Sequence, residues 1–217
     1  MRINVRANNP FEEYNYLIYL YSKKKILKKQ GHKVFIPQDE YFQGLWFSEV
    51  PYENFIFTKK EFGDKFYNED VFLDKINEVK NNLDKINLGL SRIKELKIKD
   101  FKEFEEYNIL YTAYGMGGSY DFKSGNVIIL LNNFKNIIHT IVHEIIHIGI
   151  EESWVKKLKL SHWEKEALVD GICKKYFSDI LVDYKIKTNI NQEIFELVIK
   201  NDLDELYQKL KYYKNNF

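Results

Sequence analysis

The segment HTIVHEIIHIG, residues 139–149, places three histidines at intervals of four residues, with a glutamate directly after the second. Wound as an α-helix at about 100° per residue, the segment turns its valine and isoleucines towards one face. His139, His143 and His147 then form a column on the opposite side, beside Glu144. The pattern predicts a helix with a buried apolar face and a polar column that lines something other than ordinary core.

The five residues HEIIH, 143–147, present two imidazoles one helical turn apart, which is the spacing that binds a single zinc ion. With one further protein ligand, zinc keeps an open position at which water becomes a nucleophile at neutral pH. Glu144 neighbours this position on the helix surface, so we expect it to act as general base. The motif therefore predicts Zn²⁺ bound by His143 and His147 and a hydrolytic reaction.

The composition limits the kind of protein that can carry this motif. The chain has 217 residues, of which 45% are hydrophobic and 30% charged, as in an ordinary globular protein. Its net charge of +1 gives no reason to expect nucleic acid or an anionic membrane as partner. The apolar runs are far shorter than the roughly 18 residues of a membrane span, and the first residues do not resemble a signal peptide. We therefore expect a cytoplasmic protein.

The single cysteine, Cys173, limits the metal chemistry further. It cannot form an internal disulfide, which agrees with a reducing compartment. It also leaves no pair of thiolates for a metal site. We therefore expect any metal ligands to be histidine, glutamate or aspartate.

Changes in the hydrophobic pattern divide the chain, since no repeat or Gly/Ser linker separates its parts. Residues 1–69 are expected to form an accessory N-terminal layer. Its predicted elements are a helix near residues 12–29, a short strand HKVFI after Gly31, and an aromatic loop QDEYFQGLWFSEVPYENF at residues 38–55.

Residues 70–217 are expected to form the catalytic domain, with a helical C-terminal tail. Apolar residues at helical spacing predict one long amphipathic helix from Val71. The segments NILYTAY, YDF and NVIILL predict strands joined by glycine-containing turns, and the motif helix follows them. A second helix is predicted from Ser161 to about Leu181. The predicted fold class is α+β.

The third metal ligand is left open among the acidic residues and the histidine that follow the motif, namely Glu151, Glu152, His162, Glu164, Glu166 and Asp170. Helical register places Glu166 and Asp170 inside an apolar stripe. Two carboxylates on a buried face cost free energy unless a cation or a hydrogen-bond donor compensates them. Their position therefore indicates a nearby cation.

The remaining candidates have simpler explanations. Glu164 lies on the other side of the helix and forms the pattern S-x-x-E with Ser161, so a capping box accounts for it. Glu151 and Glu152 follow Gly149, an expected helix end, and are expected to be solvated. His162 shares the inward stripe and stays a reserve ligand or a possible oxyanion donor.

HEIIH followed after eighteen residues by EALVD resembles the HExxH and ExxxD pair of the gluzincin zinc metallopeptidases, a thermolysin-like group. The resemblance covers roughly residues 71–181. It implies that His143, His147 and Glu166 bind zinc, that Glu144 is the general base and that Asp170 accepts a hydrogen bond from His143. It also implies a zincin-like domain with a long backing helix and a small mixed sheet. The edge strand of that sheet, here NVIILLNN, would bind the substrate backbone.

Two departures from related patterns bear on the site. The metzincin pattern is excluded, because the chain reads HIGIEES, with Gly149 too early and Ser153 where a ligand would stand. No histidine follows His162, so the group that stabilises the oxyanion is left open among His162, Tyr176 and Tyr184.

The leading functional hypothesis is a zinc metallopeptidase that hydrolyses a peptide or protein substrate. A second hypothesis is a zinc-containing regulatory or scaffold protein whose occluded, non-hydrolytic site is blocked by the aromatic loop. A third is a metal-free helical core in which the histidines occur by chance. Zinc content separates the third hypothesis from the other two.

Overall fold

The structure is a computed structural model that describes residues 1–29, 31–49, 55–132, 137–181 and 190–216. It confirms the α+β class, with helices arranged around one small sheet. The described strands are β1 (Arg2–Ala7), β2 (Glu106–Thr112), β3 (Gly118–Asp121) and β4 (Asn126–Leu130). The described α-helices are α1 (Pro10–Ser22), α2 (Lys24–Lys29), α3 (Glu40–Phe47), α4 (Lys59–Phe66), α5 (Leu73–Asn81), α6 (Leu83–Glu95), α7 (Ile137–Ile150), α8 (His162–Tyr176), α9 (Gln192–Lys200) and α10 (Leu203–Asn216).

The sheet has the strand order β1-β2-β4-β3. β1, β2 and β4 are parallel, whereas β3 runs antiparallel to β4. NVIILL does form a strand, but the prediction that it lies at the edge is wrong, because β4 has a neighbour on both sides. The turn at Gly125, whose φ is 73°, lets β3 fold back along β4 and become the edge strand.

Two helices predicted as continuous are each divided in two. The segment from Val71 forms a 3-10 turn, Asp70–Phe72, followed by α5 and α6. They separate at Asn82, whose side-chain amide donates to the Glu78 carbonyl oxygen at 2.8 Å. The segment predicted near residues 12–29 likewise divides into α1 and α2 at Lys23. The apolar spacing still describes which face is buried, since Val79 and Ile86 are both fully buried.

The first 69 residues contribute a strand to the sheet and form a second hydrophobic cluster, whose buried members lie between Tyr14 and Phe62, separate from the core around α7. β1, which the sequence did not predict, pairs with β2 in the sheet. The predicted strand HKVFI makes only an isolated bridge, between Phe35 and Gly115. The predicted aromatic loop contains α3, and its Phe42, Trp46 and Phe55 are buried in the second cluster.

The motif helix α7 is buried nearly all round. It packs against β3, α6 and α8, and within it only His139 is partly exposed. The prediction that it ends at Gly149 is wrong: it reaches Ile150 and continues as a π-helical segment, Glu151–Lys156. Gly149 has a packing role instead, because a Cβ built there would lie 2.0 Å from the ring of Phe101.

The helices after the motif follow the predicted order. α8 ends at Tyr176, which is earlier than the predicted end near Leu181, and the C-terminal tail is helical as predicted, in α9 and α10. Across the ranges that the structure describes, each helix is too short or too polar to cross a lipid bilayer.

Candidate metal centre

Three side chains from two helices converge at one point. His143 and His147, one turn apart on α7, turn their Nε2 atoms to within 3.0 Å of each other. Glu166 on α8 brings one carboxylate oxygen to 3.3 Å from His147 Nε2 and the other to 3.6 Å from His143 Nε2. The three residues are between 1% and 6% exposed, so the cluster is enclosed by protein.

The spacing of these donor atoms fits a tetrahedral ion. A zinc ion with bonds of about 2.0–2.1 Å keeps its ligand atoms about 3.3 Å apart. The observed separations of 3.0, 3.3 and 3.6 Å, of which the last two involve different oxygens of Glu166, lie around this value. Two imidazoles and one carboxylate are also a donor set that binds zinc and leaves one position open. The residues present therefore fit Zn²⁺.

The protonation states of the ligands suit a metal as well. Burial lowers the pKa of His143 to about 4, although the nearby Glu166 opposes this shift. Burial also disfavours ionisation of Glu166, but hydrogen bonds with His143 and His147 outweigh it and hold the pKa of the carboxyl well below its usual range. At neutral pH His143 is neutral and Glu166 is ionised, which are the forms that coordinate metals.

Asp170 lies behind the cluster on α8. Its Oδ1 is 3.3 Å from Nδ1 of His143, on the side of the ring that faces away from His147 and Glu166, but the two atoms do not form the expected hydrogen bond in this structure. Asp170 is 2% exposed, so this contact is shielded from water. A carboxylate at Nδ1 favours the tautomer with the proton on Nδ1, which leaves the Nε2 lone pair for a metal.

Glu144 lies beside the cluster and lines the cavity in front of it. Its carboxylate is packed against β3, because a Cβ built on Gly118 would lie 2.7 Å from Glu144 Oε1. Glu144 is 9% exposed. The carboxylate of Glu144 is therefore available to a molecule in the cavity. The absence of a side chain at Gly118 provides the space that this carboxylate occupies.

The cavity has a volume of about 590 Å³. β3 and the residues just before it form one side, and the start of α8, with His162 and Trp163, forms another. The N-terminal region contributes His32 and Lys33. Four of the five histidines of the chain thus line one cavity, and the fifth, His147, belongs to the ligand cluster. This size is typical of a site for a small molecule or a short stretch of peptide.

The other residues considered as third ligand are not part of the donor group formed by His143, His147 and Glu166, although Glu151 and His162 line the same cavity. The capping box of Glu164 with Ser161 is present, but it does not account for Glu164 fully, because Lys214 of α10 donates to both of its carboxylate oxygens at 3.0 and 3.1 Å. Glu152 is exposed as expected and pairs with Lys102 at 3.6 Å. Glu151 is not simply solvated, since it accepts a hydrogen bond from Tyr120.

The three residues considered as oxyanion donors have different outcomes. His162 lines the cavity, with its ring 5.6 Å from that of His32. Tyr176 is the last residue of α8 and is not part of the cavity lining. Tyr184 lies outside the described residues. Of the three, only His162 stays a candidate with an observed position at the cavity.

Sequence reasoning missed Tyr120 and Lys165, which both line the cavity. The ring of Tyr120 is stacked on that of His147, and Lys165 directly precedes Glu166. A partial signal was available for Lys165, because it neighbours a residue of the ExxxD pattern. No such signal existed for Tyr120, whose proximity depends on the pairing of β3 with β4.

A second group of possible donors, His139, His143 and Cys173, also lies within 4.8 Å. It shares His143 with the first group, so the two are alternatives for that side chain. Burial, together with the charges of Asp170 and Glu144, raises the pKa of the Cys173 thiol well above its usual value. A protonated thiol is a poor ligand, so the chemistry favours the group that contains Glu166.

Comparisons with known proteins give no relative for this chain: no protein-family model, no curated protein and no solved structure matches it.

Proposed function

We propose that this chain is a zinc-dependent metallopeptidase with a zincin-like catalytic domain. The observation that carries the proposal is the convergence of His143, His147 and Glu166 beside a cavity that Glu144 also lines. Chance histidines on a helix would not explain a buried carboxylate from a second helix placed at ligand distance from both rings. The donor set, its spacing and its protonation support Zn²⁺ as the cofactor.

Each residue of the site has a distinct task under this proposal. Bound zinc would supply a Lewis acid that polarises the scissile carbonyl and makes water a stronger acid. Glu144, which lies outside the ligand set, takes the proton from the attacking water and passes it to the leaving amine. Asp170 holds the His143 ring with Nε2 turned to the ligand cluster.

The proposed substrate is a peptide segment in extended conformation. β3 lies at the end of the described strand order, and Gly118, Ser119 and Tyr120 of this strand line the cavity. An edge strand can pair its free backbone groups with an extended peptide, which gives affinity without requiring a particular sequence. The described aromatic residues Phe42, Trp46 and Phe55 are buried in the second cluster and do not line this cavity.

The test compares Glu144→Gln with Glu152→Gln. Glu152 lies nearby on the π-helical segment but its side chain is 54% exposed, so it is a control of the same chemistry. We expect the unmodified protein and both variants to bind about one zinc per chain, measured by native mass spectrometry. Hydrolysis of casein should fall by at least about 10²-fold in Glu144→Gln, because the general base is lost, and should be unchanged in Glu152→Gln.

Different outcomes would contradict different parts of the proposal. If the unmodified protein takes up no zinc even after incubation with the ion, the metal centre is wrong. If Glu144→Gln keeps full activity, the role of Glu144 is wrong. Zinc binding without hydrolysis of any peptide would favour the regulatory or scaffold hypothesis.

A further inference from the structure

A tyrosine of the edge strand lies flat against one of the proposed metal ligands. The ring of Tyr120 and the imidazole of His147 are nearly parallel, with an angle of 7° between their planes and 5.1 Å between their centres. His147 is 1% exposed, so Tyr120 forms part of the wall that encloses it. A rigid ring in this position limits how far the imidazole can rotate or tilt.

The hydroxyl group of Tyr120 is held between two charged side chains. It donates a hydrogen bond of 2.6 Å to Glu151 Oε2 and accepts one of 2.9 Å from Lys165 Nζ. Hydrogen bonds to charged partners are stronger than those between neutral groups, so these two contacts restrict the position of the phenol.

The three hydrogen-bonded residues, Glu151, Tyr120 and Lys165, come from three different elements next to the ligand cluster. Glu151 begins the π-helical segment that directly continues α7, which carries His147. Lys165 precedes Glu166 on α8, and Tyr120 belongs to β3. The hydroxyl group of Tyr120 thus joins the continuation of α7, the helix α8 and the edge strand β3.

Residues that contact a metal-binding side chain, without binding the metal themselves, commonly control its orientation. Their loss typically lowers metal affinity or activity about 10- to 100-fold. Asp170 occupies such a position for His143, through the contact with Nδ1. We propose that Tyr120, held by its hydrogen bonds with Glu151 and Lys165, is a positioning residue that orients the imidazole of His147 for metal binding. This inference rests on the proposed metal centre.

The test uses two substitutions of Tyr120 and a matched control. Tyr120→Phe keeps the ring and removes the hydroxyl group, whereas Tyr120→Leu removes both. Tyr67→Phe is the control, because the Tyr67 hydroxyl is also part-buried and donates a 2.7 Å hydrogen bond, to the Asn8 carbonyl oxygen. Zinc affinity is measured by competition with a chelator of known affinity. A second readout is the visible absorption of the Co²⁺-substituted protein, which depends on the geometry of the ligands.

We expect zinc affinity to fall about tenfold in Tyr120→Phe and up to about 100-fold in Tyr120→Leu, with no change in Tyr67→Phe. The Co²⁺ spectrum should change in both Tyr120 variants only. Glu151→Gln, which keeps the side-chain shape and removes the charge, should behave like Tyr120→Phe and carries the test if Tyr120→Leu does not fold.

The possible failures can be told apart. Unchanged zinc affinity and an unchanged Co²⁺ spectrum in Tyr120→Phe and Glu151→Gln would overturn the positioning role while leaving the metal centre intact. If the unmodified protein binds neither Zn²⁺ nor Co²⁺, the metal centre and the positioning role both fall.

Discussion

Glu166 and Glu164 lie two residues apart on α8 and have the same chemistry, yet they contact different parts of the molecule. Glu166 faces both motif histidines, whereas Glu164 caps its own helix and binds Lys214 in the C-terminal helix α10. Both are buried, at 6% and 7% exposure, so burial alone does not distinguish them. Their contacts do, and these contacts predict different losses on substitution.

Glu166→Ala removes one of three proposed ligands and should abolish tight zinc binding. Glu164→Ala should keep zinc and lower the free energy of unfolding by about 1 to 2 kcal/mol, because a helix cap and a shielded ion pair are lost. Asp170→Asn should lie between them, with zinc affinity lowered about 10- to 100-fold. Zinc content and melting temperature, measured side by side, check this order. Loss of metal in Glu164→Ala with retention in Glu166→Ala would refute the assignment.

The protonation of His143 predicts how stability depends on pH when no metal is bound. Burial lowers the pKa of His143 from 6.5 to about 4 in the folded protein. Between these values the unfolded chain binds more protons than the folded one, so acidification from pH 6.5 towards 4 should destabilise the fold. The free energy of unfolding should change with pH by at most about 1.4 kcal/mol per pH unit through this one group.

Urea denaturation of the chelator-treated protein at several pH values measures this slope. His143→Gln cannot take up the proton, so its stability should change less over the same range. Equal slopes for the two proteins would show that His143 is not the group responsible.

Among the elements, the short strand β3 has the most direct effect on the site. It lies against Glu144, and Gly118 leaves room for the carboxylate, since a Cβ there would lie 2.7 Å from Glu144 Oε1 and 3.1 Å from Thr140 Cγ2. Because β3 pairs with β4 on its other side, the strand cannot simply move away. The side chain of Glu144 must then give way to any larger residue at position 118.

Gly118→Ala should therefore lower peptide hydrolysis about tenfold or more while zinc content is unchanged, because a base displaced by about 1 Å can cost up to about 10²-fold. Gly44→Ala is the matched control, since a Cβ on that helical glycine meets nothing within 4 Å. It should be fully active and slightly more stable. Steady-state kinetics with metal analysis checks both variants. Full activity in Gly118→Ala would show that the added methyl group does not displace Glu144 from its working position.

How far the sequence could predict these elements depends on the range of the interactions involved. The register that turns Glu166 and Asp170 inward is a property of α8 alone, so spacing was sufficient. The break at Asn82 was not predictable from apolar spacing, because the apolar residues keep their order on both sides of it. β1 and the contact of Tyr120 with His147 depend on strands that pair across long stretches of chain, and no local pattern records such pairing.

At the scale of the whole molecule, one buried carboxylate ties the N-terminal helices to the sheet. Glu13 on α1 is fully buried. Its Oε1 accepts hydrogen bonds from the Thr112 hydroxyl at 2.7 Å and from the backbone N–H groups of Ala113 and Tyr114 at 2.8 and 3.1 Å. These residues connect β2 to the segment that enters the cavity wall. The second hydrophobic cluster is thereby fixed to the side of the proposed active site.

Glu13→Ala would remove the acceptor of these hydrogen bonds and of the one that Asn8 donates to Oε2, and should lower the free energy of unfolding by about 3 kcal/mol. Glu13→Gln, which keeps one carbonyl oxygen for these donors, should be less damaging. Glu40→Ala, at an exposed position in the first turn of α3, serves as control and should change stability by less than about 0.5 kcal/mol. Urea denaturation measures all three, and a stability of Glu13→Ala equal to that of Glu40→Ala would contradict the anchoring role.

The pairing of β1 with β2 also determines when the protein can fold during its own synthesis. Asn4 in β1 donates to Asn108 in β2, 104 residues later in the chain. At a translation rate of about 5–20 residues per second, the first strand waits roughly 5–20 s before its partner has been made. Contacts this distant in sequence form slowly even in a complete chain. β1 thus spends that interval without its partner strand, and unpaired strand edges of this kind favour aggregation.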